Sequence, residues 1–496
     1  MNLAAELADL AERRGRQLLP AFHEPGRTWT HGEIHDTAAR AATVLAHHSV
    51  RRGDRVLIAL HDSSAWIVAF LGAARLGAVA VLVNPDLAPG EHAGLAADSD
   101  PVLVLCPEGI ADRFPAPALT GEELLREAAR APRAEPARLP ADAPLYVQYT
   151  SGTTGEPKGA VHRHRDPFHY HRSTGWGALR AAERDVTLSI SRLFFAYGFG
   201  NAFVFPLFSG GSAVLLPRRP TPADVREACS RHGVTLLYGV PTSYAQLVAE
   251  GDPASLRTVR AAVSAGESLS PSLAERASGL LGAPVLEQIG STEAGHAFCA
   301  NTVEADRVGT LGRPVDGYRL RLTDKDGRDV PEGAEGRLWV AGPTLMAGYL
   351  NKPRQTSETV VDGWLDTGDL AVREPDGSYV HRGRADDLEM VGGITVAPHE
   401  IERILQEHPG VLEAAVAACP DERGATRLRA FVVPREGGSV RPPGAEELLG
   451  RLTGRVARYK VPRSVVFVPE LPRTPTGKLR RFVLRRTGGN RPGPAE

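Results

Sequence analysis

The chain predicts an α/β protein: a large N-terminal domain of helix-flanked sheets with a β-rich subdomain, followed by a small α+β C-terminal domain. Three observations predict it. Over most of the first 380 residues, helical patterns alternate with short apolar strands at 55–60, 78–83, 102–105, 213–216, 236–238 and 261–264, the pattern of parallel sheets covered by helices. From about Asp306 the texture changes to shorter strands with turns such as Asp324-Lys325-Asp326-Gly327 and Glu374-Pro375-Asp376-Gly377. A length of 496 residues also exceeds what one core supports.

The elements follow in order. Residues 1–15 carry apolar side chains at helical spacing with acids among them; a secretory signal would start positive and run apolar. The run 66–83 is nearly long enough to cross a membrane, but it holds Arg75 and two glycines and ends in Asn84-Pro85. A buried helix to about Leu76, then Gly77 and a strand at 78–83, accounts for it better. The stretch 107–143 is rich in Ala, Pro, Arg and Glu, and holds one helix, begun by the capping box Thr120-Gly121-Glu122-Glu123. A boundary is expected at Gly383-Arg384-Ala385-Asp386-Asp387. After it, a helix at 398–408, with Ile401, Ile404 and Leu405 on one face, and strands at 413–418 and 429–433 make a compact unit. These readings divide the chain into 1–384, with the β-rich part from about 306, and 388–487; the Gly/Pro-rich tail 488–496 is expected to be disordered.

Bulk charge narrows the function classes. With 58 basic and 59 acidic residues the formal charge is −1, so nothing global points to nucleic acid or an anionic membrane. Cys106, Cys229, Cys299 and Cys419 lie far apart with no metal-type spacing. A reduced, cytoplasmic, soluble protein is the natural expectation.

The most informative stretch is Tyr149-Thr150-Ser151-Gly152-Thr153-Thr154-Gly155-Glu156-Pro157-Lys158-Gly159, which follows a strand-forming run at 145–149. Glycines let a loop expose its N–H groups, hydroxyls add donors and lysine adds charge, a combination suited to polyphosphate. A P-loop lysine is followed by Ser or Thr for magnesium; here Gly159 follows Lys158, so a metal ligand must come from elsewhere.

This loop resembles the phosphate-binding signature of the acyl-adenylate-forming superfamily, which includes acyl- and aryl-CoA ligases, luciferases and peptide-synthetase adenylation domains. Five more segments resemble that family in the right order. The resemblance implies that Thr150, Ser151, Gly152, Thr153, Thr154, Gly155 and Lys158 hold the β,γ-phosphates of ATP. It makes Ser264-Ala265-Gly266-Glu267 the adenine-site turn, with Gly266 and Glu267 at the nucleotide and Ala265 beside the acid. Gln288-Ile289-Gly290-Ser291-Thr292-Glu293 matches the next motif: Gln288 and Ile289 flank the adenine, Thr292 contacts the α-phosphate and Glu293 ligates Mg²⁺. Ile289, where many members have Tyr, points toward relatives of benzoate–CoA ligase. Asp369, in Thr367-Gly368-Asp369, would accept both ribose hydroxyls, and Arg384 would contact ribose or phosphate. Asp386 would be the hinge of a mobile C-terminal domain, and Gly392 and Gly393 would line the pantetheine tunnel. Arg473-Thr474-Pro475-Thr476-Gly477-Lys478 matches the last motif, with Lys478 between the two reacting anions.

Phe194-Phe195-Ala196-Tyr197-Gly198-Phe199-Gly200-Asn201 speaks to substrate, being strongly aromatic in a chain with only 6% aromatics. On residues alone it reads equally as a core segment. It resembles the Phe-Phe-Ala-Tyr-Gly stretch that walls the acid pocket of benzoate–CoA ligase and its relatives. Phe195, Ala196, Tyr197 and Gly198, with Ala265, Gly290 and His296, would then form a flat slot for a ring. His162, His164, His169 and His171 crowd one segment without a second ligand cluster in view. The expectation is an aryl-CoA ligase that uses ATP, Mg²⁺ and coenzyme A on a small aromatic acid, with loading of a carrier-protein thiol as the alternative. Several relatives carry a lysine in place of Met390, which leaves the assistance to the second step open.

Overall fold

The computed structural model describes all residues except 152–156, 268, 386–388, 392–393, 397, 421–425, 436–442, 454, 457, 474–478 and 488–496. Two large sheets dominate the N-terminal part. One runs in the order Gly348–Tyr349, Pro157–Arg163, Pro144–Ser151, Val79–Leu82, Arg55–Ile58, Leu103–Leu105, Ala118–Leu119. The other has parallel strands Ala261–Ser264, Leu236–Gly239, Val186–Ser189 and Ser212–Val214 at its heart, with antiparallel strands at both ends. The expected alternation of helices and parallel strands is present in both.

The helix Ser64–Leu76 lies between these sheets and is buried from Ser64 through Ala74, which explains an apolar run that resembles a membrane span. Ser63 caps it by accepting the Trp66 N–H, and Gly77 ends it with φ +74°. Trp66 and Phe70 pack against Phe199 and Phe203 with ring centroids 5.0 to 6.3 Å apart, so this helix supports the aromatic segment from behind. The Thr120 capping box forms as expected and starts the helix Gly121–Ala128.

The β-rich part is an antiparallel sheet of Arg319–Thr323, Glu335–Ala341, Trp364–Arg373, Val360–Val361 and Tyr379–Arg384. It is not self-contained. The short strand Gly348–Tyr349 leaves it and pairs with Pro157–Arg163, setting Tyr349 opposite Ala160. Toward the C-terminus, Val411–Pro420, Thr426–Pro434 and Ser464–Phe467 form a separate sheet. Its core includes Ile401, Ile404 and Leu405 from the helix Pro398–Gln406, the face the sequence marks as apolar. All four cysteines are free and buried, and no helix among the described residues is long and apolar enough to cross a membrane.

Candidate active site

The strands on either side of the glycine-rich stretch pair with each other. Strands Pro144–Ser151 and Pro157–Arg163 run antiparallel, with Thr150 opposite Lys158, whereas a P-loop feeds a helix. A Cβ at Gly159 would lie 2.7 Å from Val147 Cγ1 and 3.1 Å from the Tyr149 ring, so close strand packing requires a glycine directly after Lys158. Gly152, Thr153, Thr154 and Gly155 lie outside the described residues.

Lys158 and Glu293 meet at Tyr349. The Lys158 ammonium sits 5.4 Å from the Tyr349 ring centroid, and the Tyr349 hydroxyl donates to Glu293 Oε1 at 2.8 Å. Motif reading missed Tyr349, because nothing local marks it; only its pairing with the strand after the loop brings it here. The hydroxyl aims a half-buried carboxylate, and loss of one hydrogen bond to a charged group is worth about 1.5–3 kcal/mol. On the expected role of Glu293 as a Mg²⁺ ligand in an adenylating enzyme, Tyr349→Phe should lower kcat about tenfold and raise the Mg²⁺ concentration needed for half-maximal rate; an unchanged Mg²⁺ requirement would sink this role.

The turn holding Thr292 and Glu293 is fixed from several sides. Ser291 Oγ accepts the Ala294 N–H at 3.1 Å, and the Thr292 carbonyl accepts from the Gly295 N–H at 3.0 Å and from His162 Nε2 at 2.7 Å. The Glu293 carbonyl accepts the Met346 N–H at 2.8 Å. His162 Nδ1 lies 3.2 Å from Tyr170 Oη and 3.3 Å from Asp166 Oδ2. The four crowded histidines thus serve different surroundings: His162 supports Thr292, His164 Nδ1 accepts the Leu3 N–H at 3.1 Å, and His171 stacks on Phe208 with centroids 5.4 Å apart. His169 is half-buried one turn away.

Asp369 and Arg384 are direct partners on neighbouring strands. The Asp369 carboxylate is buried, 3.2 Å from His381 Nε2 and 3.6 Å from Arg384. Burial works against ionisation, but His381, Arg384 and Thr367 outweigh it and hold the carboxyl below its ordinary pKa. Gly368, with φ +72°, leaves room for Arg384, whose Nη2 would lie 2.6 Å from a Cβ there.

In the turn after Ala261–Ser264, Ala265 is buried and Gly266 has φ +89°. Glu267 follows them and links two parts of the chain. Its carboxylate pairs with Arg473 and accepts from Thr242 Oγ1 at 3.2 Å, while Arg473 also donates to Glu413 Oε2 at 2.7 Å. Arg473 thus ties the N-terminal part to the C-terminal sheet, and burial raises the Glu267 pKa against the pull of Arg473.

Gln288 is buried and Ile289 half-buried on the strand Val285–Gly290. One residue earlier, Glu287 is buried and accepts the Leu269 N–H at 3.2 Å; burial raises its pKa to about 7. The native state then keeps a proton that the unfolded chain releases near its ordinary value, so stability falls as pH rises toward about 7 and is level above it, by about 3 kcal/mol at most. Glu287→Gln keeps the acceptor and removes the titration. Its melting temperature relative to the parent should rise between pH 5 and pH 8, and a difference independent of pH would refute this.

The aromatic segment divides its labour. Phe194 and Phe199 are buried in the main core, as the core reading requires, while Phe195, Ala196 and Tyr197 between them stay half-buried. Tyr197 Oη donates to the Val263 carbonyl at 2.9 Å, fixing its ring beside the strand Ala261–Ser264. The helix then widens into π turns at Gly200–Val204, where a Cβ on Gly200 would come within 2.2 Å of the His296 ring. A Cβ on Gly290 would lie 2.6 Å from the His296 carbonyl. His296 is buried, with Nε2 3.3 Å from Asn201 Oδ1. Burial drops its pKa to about 3, so the imidazole is neutral. The structure therefore sets His296 beside Tyr197, with ring centroids 6.2 Å apart. Asp386, Gly392, Gly393 and Lys478 lie outside the described residues.

The motifs thus fall on two paired strands flanking the glycine-rich stretch, on a carboxylate turn tied to the second of them through Tyr349, and on a buried strand-borne aspartate. The chain belongs to the AMP-binding enzyme family: that family's model matches residues 11–350, and the model for the AMP-binding enzyme C-terminal domain matches residues 400–478. It is 41% identical to p-hydroxybenzoic acid–AMP ligase FadD22 of Mycobacterium tuberculosis, over 99% of this chain and 70% of that protein. It is 38% identical to the 4-hydroxybenzoate–CoA/benzoate–CoA ligase of Rhodopseudomonas palustris, over 98% of this chain and 94% of that one. The crystal structure of a benzoate CoA ligase from Burkholderia xenovorans LB400 superposes with a TM-score of 0.90 at 35% identity, covering 98% of this chain and 100% of the other.

Proposed function

We propose that this enzyme activates a benzoate-like acid with ATP and transfers the aryl group to coenzyme A. The observation that carries the reading is the half-buried Phe195-Ala196-Tyr197 stretch, set against neutral His296 in an otherwise fully buried aromatic segment. In the first step a carboxylate oxygen bonds to the α-phosphorus of ATP, the bond to the bridging oxygen breaks, and pyrophosphate leaves. In the second, the thiol sulfur bonds to the acyl carbon, its proton is released and AMP leaves.

Within this reading, Thr150, Ser151 and Lys158 hold the departing phosphates together with Gly152, Thr153, Thr154 and Gly155. Thr292 contacts the α-phosphate, and Asp369 and Arg384 hold the ribose. Lys478 lies between the carboxylate and the phosphate. Mg²⁺ prefers hard oxygen donors, and Glu293, oriented by Tyr349, fits it; the metal would neutralise phosphate charge. Glu267 acts through Arg473 on the placement of the C-terminal unit, which pivots at Asp386 and brings Gly392 and Gly393 to the thiol.

A hydroxyl on the ring is favoured by His296. With Nε2–H directed at Asn201 Oδ1, Nδ1 is a buried acceptor with no partner among the described residues, and a substrate hydroxyl would supply the missing donor. The names of the relatives support hydroxybenzoate as well as benzoate. The free, buried cysteines fit a cytoplasmic enzyme.

Transfer to a carrier-protein thiol is the second reading, favoured by the 41% identity to a protein named for its AMP-ligase step alone. Pyrophosphate exchange across benzoate, hydroxybenzoates, aminobenzoates and hexanoate, followed by incubation with CoA or with a phosphopantetheinylated carrier, tests both. Exchange with aryl acids and thioester on CoA supports the main reading. Exchange with hexanoate alone overturns the aryl assignment, and thioester on the carrier alone overturns the acceptor.

A further inference from the structure

We propose that Asp62 and Arg192 are positioning residues for the acid pocket: a buried ion pair that clamps the foot of the Phe195–Gly198 wall and thereby sets affinity for the aromatic acid. The inference rests on the reading of that segment as the acid wall, and adds two residues that no motif contains.

The pair joins the two large sheets. Asp62 follows the strand Arg55–Ile58 of one sheet, and Arg192 follows Val186–Ser189 of the other. Their side chains are 5% and 9% exposed, with Arg192 Nη2 3.4 Å from Asp62 Oδ1. The same carboxylate oxygen accepts the Leu193 N–H at 3.1 Å. Arg192 also donates to the carbonyls of Leu216, at 2.7 Å, and Arg218, at 2.8 Å, beyond the neighbouring strand Ser212–Val214. Its position is thus fixed by two other segments, through three partners.

That position passes directly to the wall. The Arg192 carbonyl accepts the Phe195 N–H at 3.0 Å, closing the turn that presents Phe195. The same carbonyl lies only 2.1 Å from where a Cβ on Gly198 would sit, so the chain from 192 to 198 folds against itself with no slack. A shift at Arg192 has to move Phe195, Ala196 and Tyr197 together.

Energetics argue for placement over stability. Taking two charges out of water costs most of what their attraction returns, and apolar replacements of such pairs are often neutral or stabilising. Burial raises the Asp62 carboxyl to about 6 even with Arg192 beside it, the mark of a pair whose desolvation is not fully offset. A purely structural joint between sheets would be served by apolar side chains. Charge at this point brings direction instead: a carboxylate that holds both a guanidinium and the Leu193 N–H fixes how the segment leaves the strand.

The test compares Asp62→Ala, Asp62→Asn and Arg192→Lys with the parent in pyrophosphate exchange, using p-hydroxybenzoate and benzoate, with thermal melts to select folded variants. Asp62→Ala should raise KM for the acid about tenfold or more while KM for ATP stays within about twofold. Asp62→Asn, which retains an acceptor for Leu193 N–H, should recover part of that loss, and Arg192→Lys covers the case in which the alanine variant does not fold. Equal rises in both KM values, or an unchanged acid KM in folded variants, overturn the inference. Ala196→Val separates it from the underlying reading: a changed acid KM there, with none at Asp62 or Arg192, removes the clamp alone, whereas no change at Ala196 removes the wall.

Discussion

Replacing Lys478 by alanine should abolish adenylation, lowering pyrophosphate exchange by about 10²–10³-fold or more, while thioester formation from a pre-made aryl-adenylate persists. The magnitude follows from what the residue is proposed to do. A carboxylate approaching the α-phosphate brings two anions together, and an ammonium aimed at that point acts where charge develops; deleting one such donor typically costs two to three orders of magnitude. Lysine suits the task as a compact charge on a flexible stem. The second half-reaction starts from the acyl–phosphate anhydride and breaks it to release AMP, with no second anion approaching the phosphate, so the same charge has little left to do. Quenched-flow measurement of each half-reaction gives the answer, and equal loss in both would remove Lys478 from the chemistry. Arg473, five residues earlier, is tied to Glu267 and Glu413, which gives the comparison a control: Arg473→Ala should disturb placement of the C-terminal unit and slow both halves.

Local features of this fold were legible in the chain. The break at Gly77, the capping box at Thr120 and the strand Ala261–Ser264 all depend on residues within one turn or one strand of each other. The candidate-site residues could be singled out for a different reason, namely that they fall in short contiguous motifs. What escaped were residues whose role comes from pairing across the chain. Tyr349 sits on a two-residue strand, too short to have a period, and reaches Glu293 only because that strand adds to the edge next to Lys158. His162 stood in a histidine-rich run that suggested nothing more specific than a crowd, and its tie to Thr292 spans 130 residues. Asp62 and Arg192 had no signal at all, since an isolated acid and an isolated base on loops are ordinary surface residues until a fold buries them together. The pairing of Glu267 with Arg473 spans 206 residues and was equally invisible to the motif that located its turn.

Asp369→Asn should lower kcat/KM for ATP by about 10²–10⁴-fold and leave KM for the aromatic acid nearly unchanged. On the proposed reading, the carboxylate accepts two ribose hydroxyls, and hydrogen bonds to a charged group contribute about 1.5–3 kcal/mol each. An amide keeps the shape but offers one acceptor oxygen and no charge. The buried setting enlarges the effect, because the Arg384 guanidinium faces the same group, and removing the negative partner leaves its charge without that counterpart. The direction of the Asp369 pKa also fixes the pH behaviour. A carboxyl whose native pKa lies below its unfolded value adds stability above that unfolded value, and loses it only as pH falls through the native one. Between pH 6 and pH 8 the group stays ionised, so the parent's KM for ATP should show no titration assignable to it, and the difference in melting temperature between parent and variant should be constant there. Below about pH 4 the two melting curves should converge as the parent protonates. Two results would count against ribose recognition by Asp369: an acid KM that rises in step with the ATP KM, or an undiminished affinity for AMP by calorimetry in a folded variant. The first would mean that the aspartate holds the β-rich sheet in place and reaches the substrates only through it, while the second would move the ribose to another acceptor altogether.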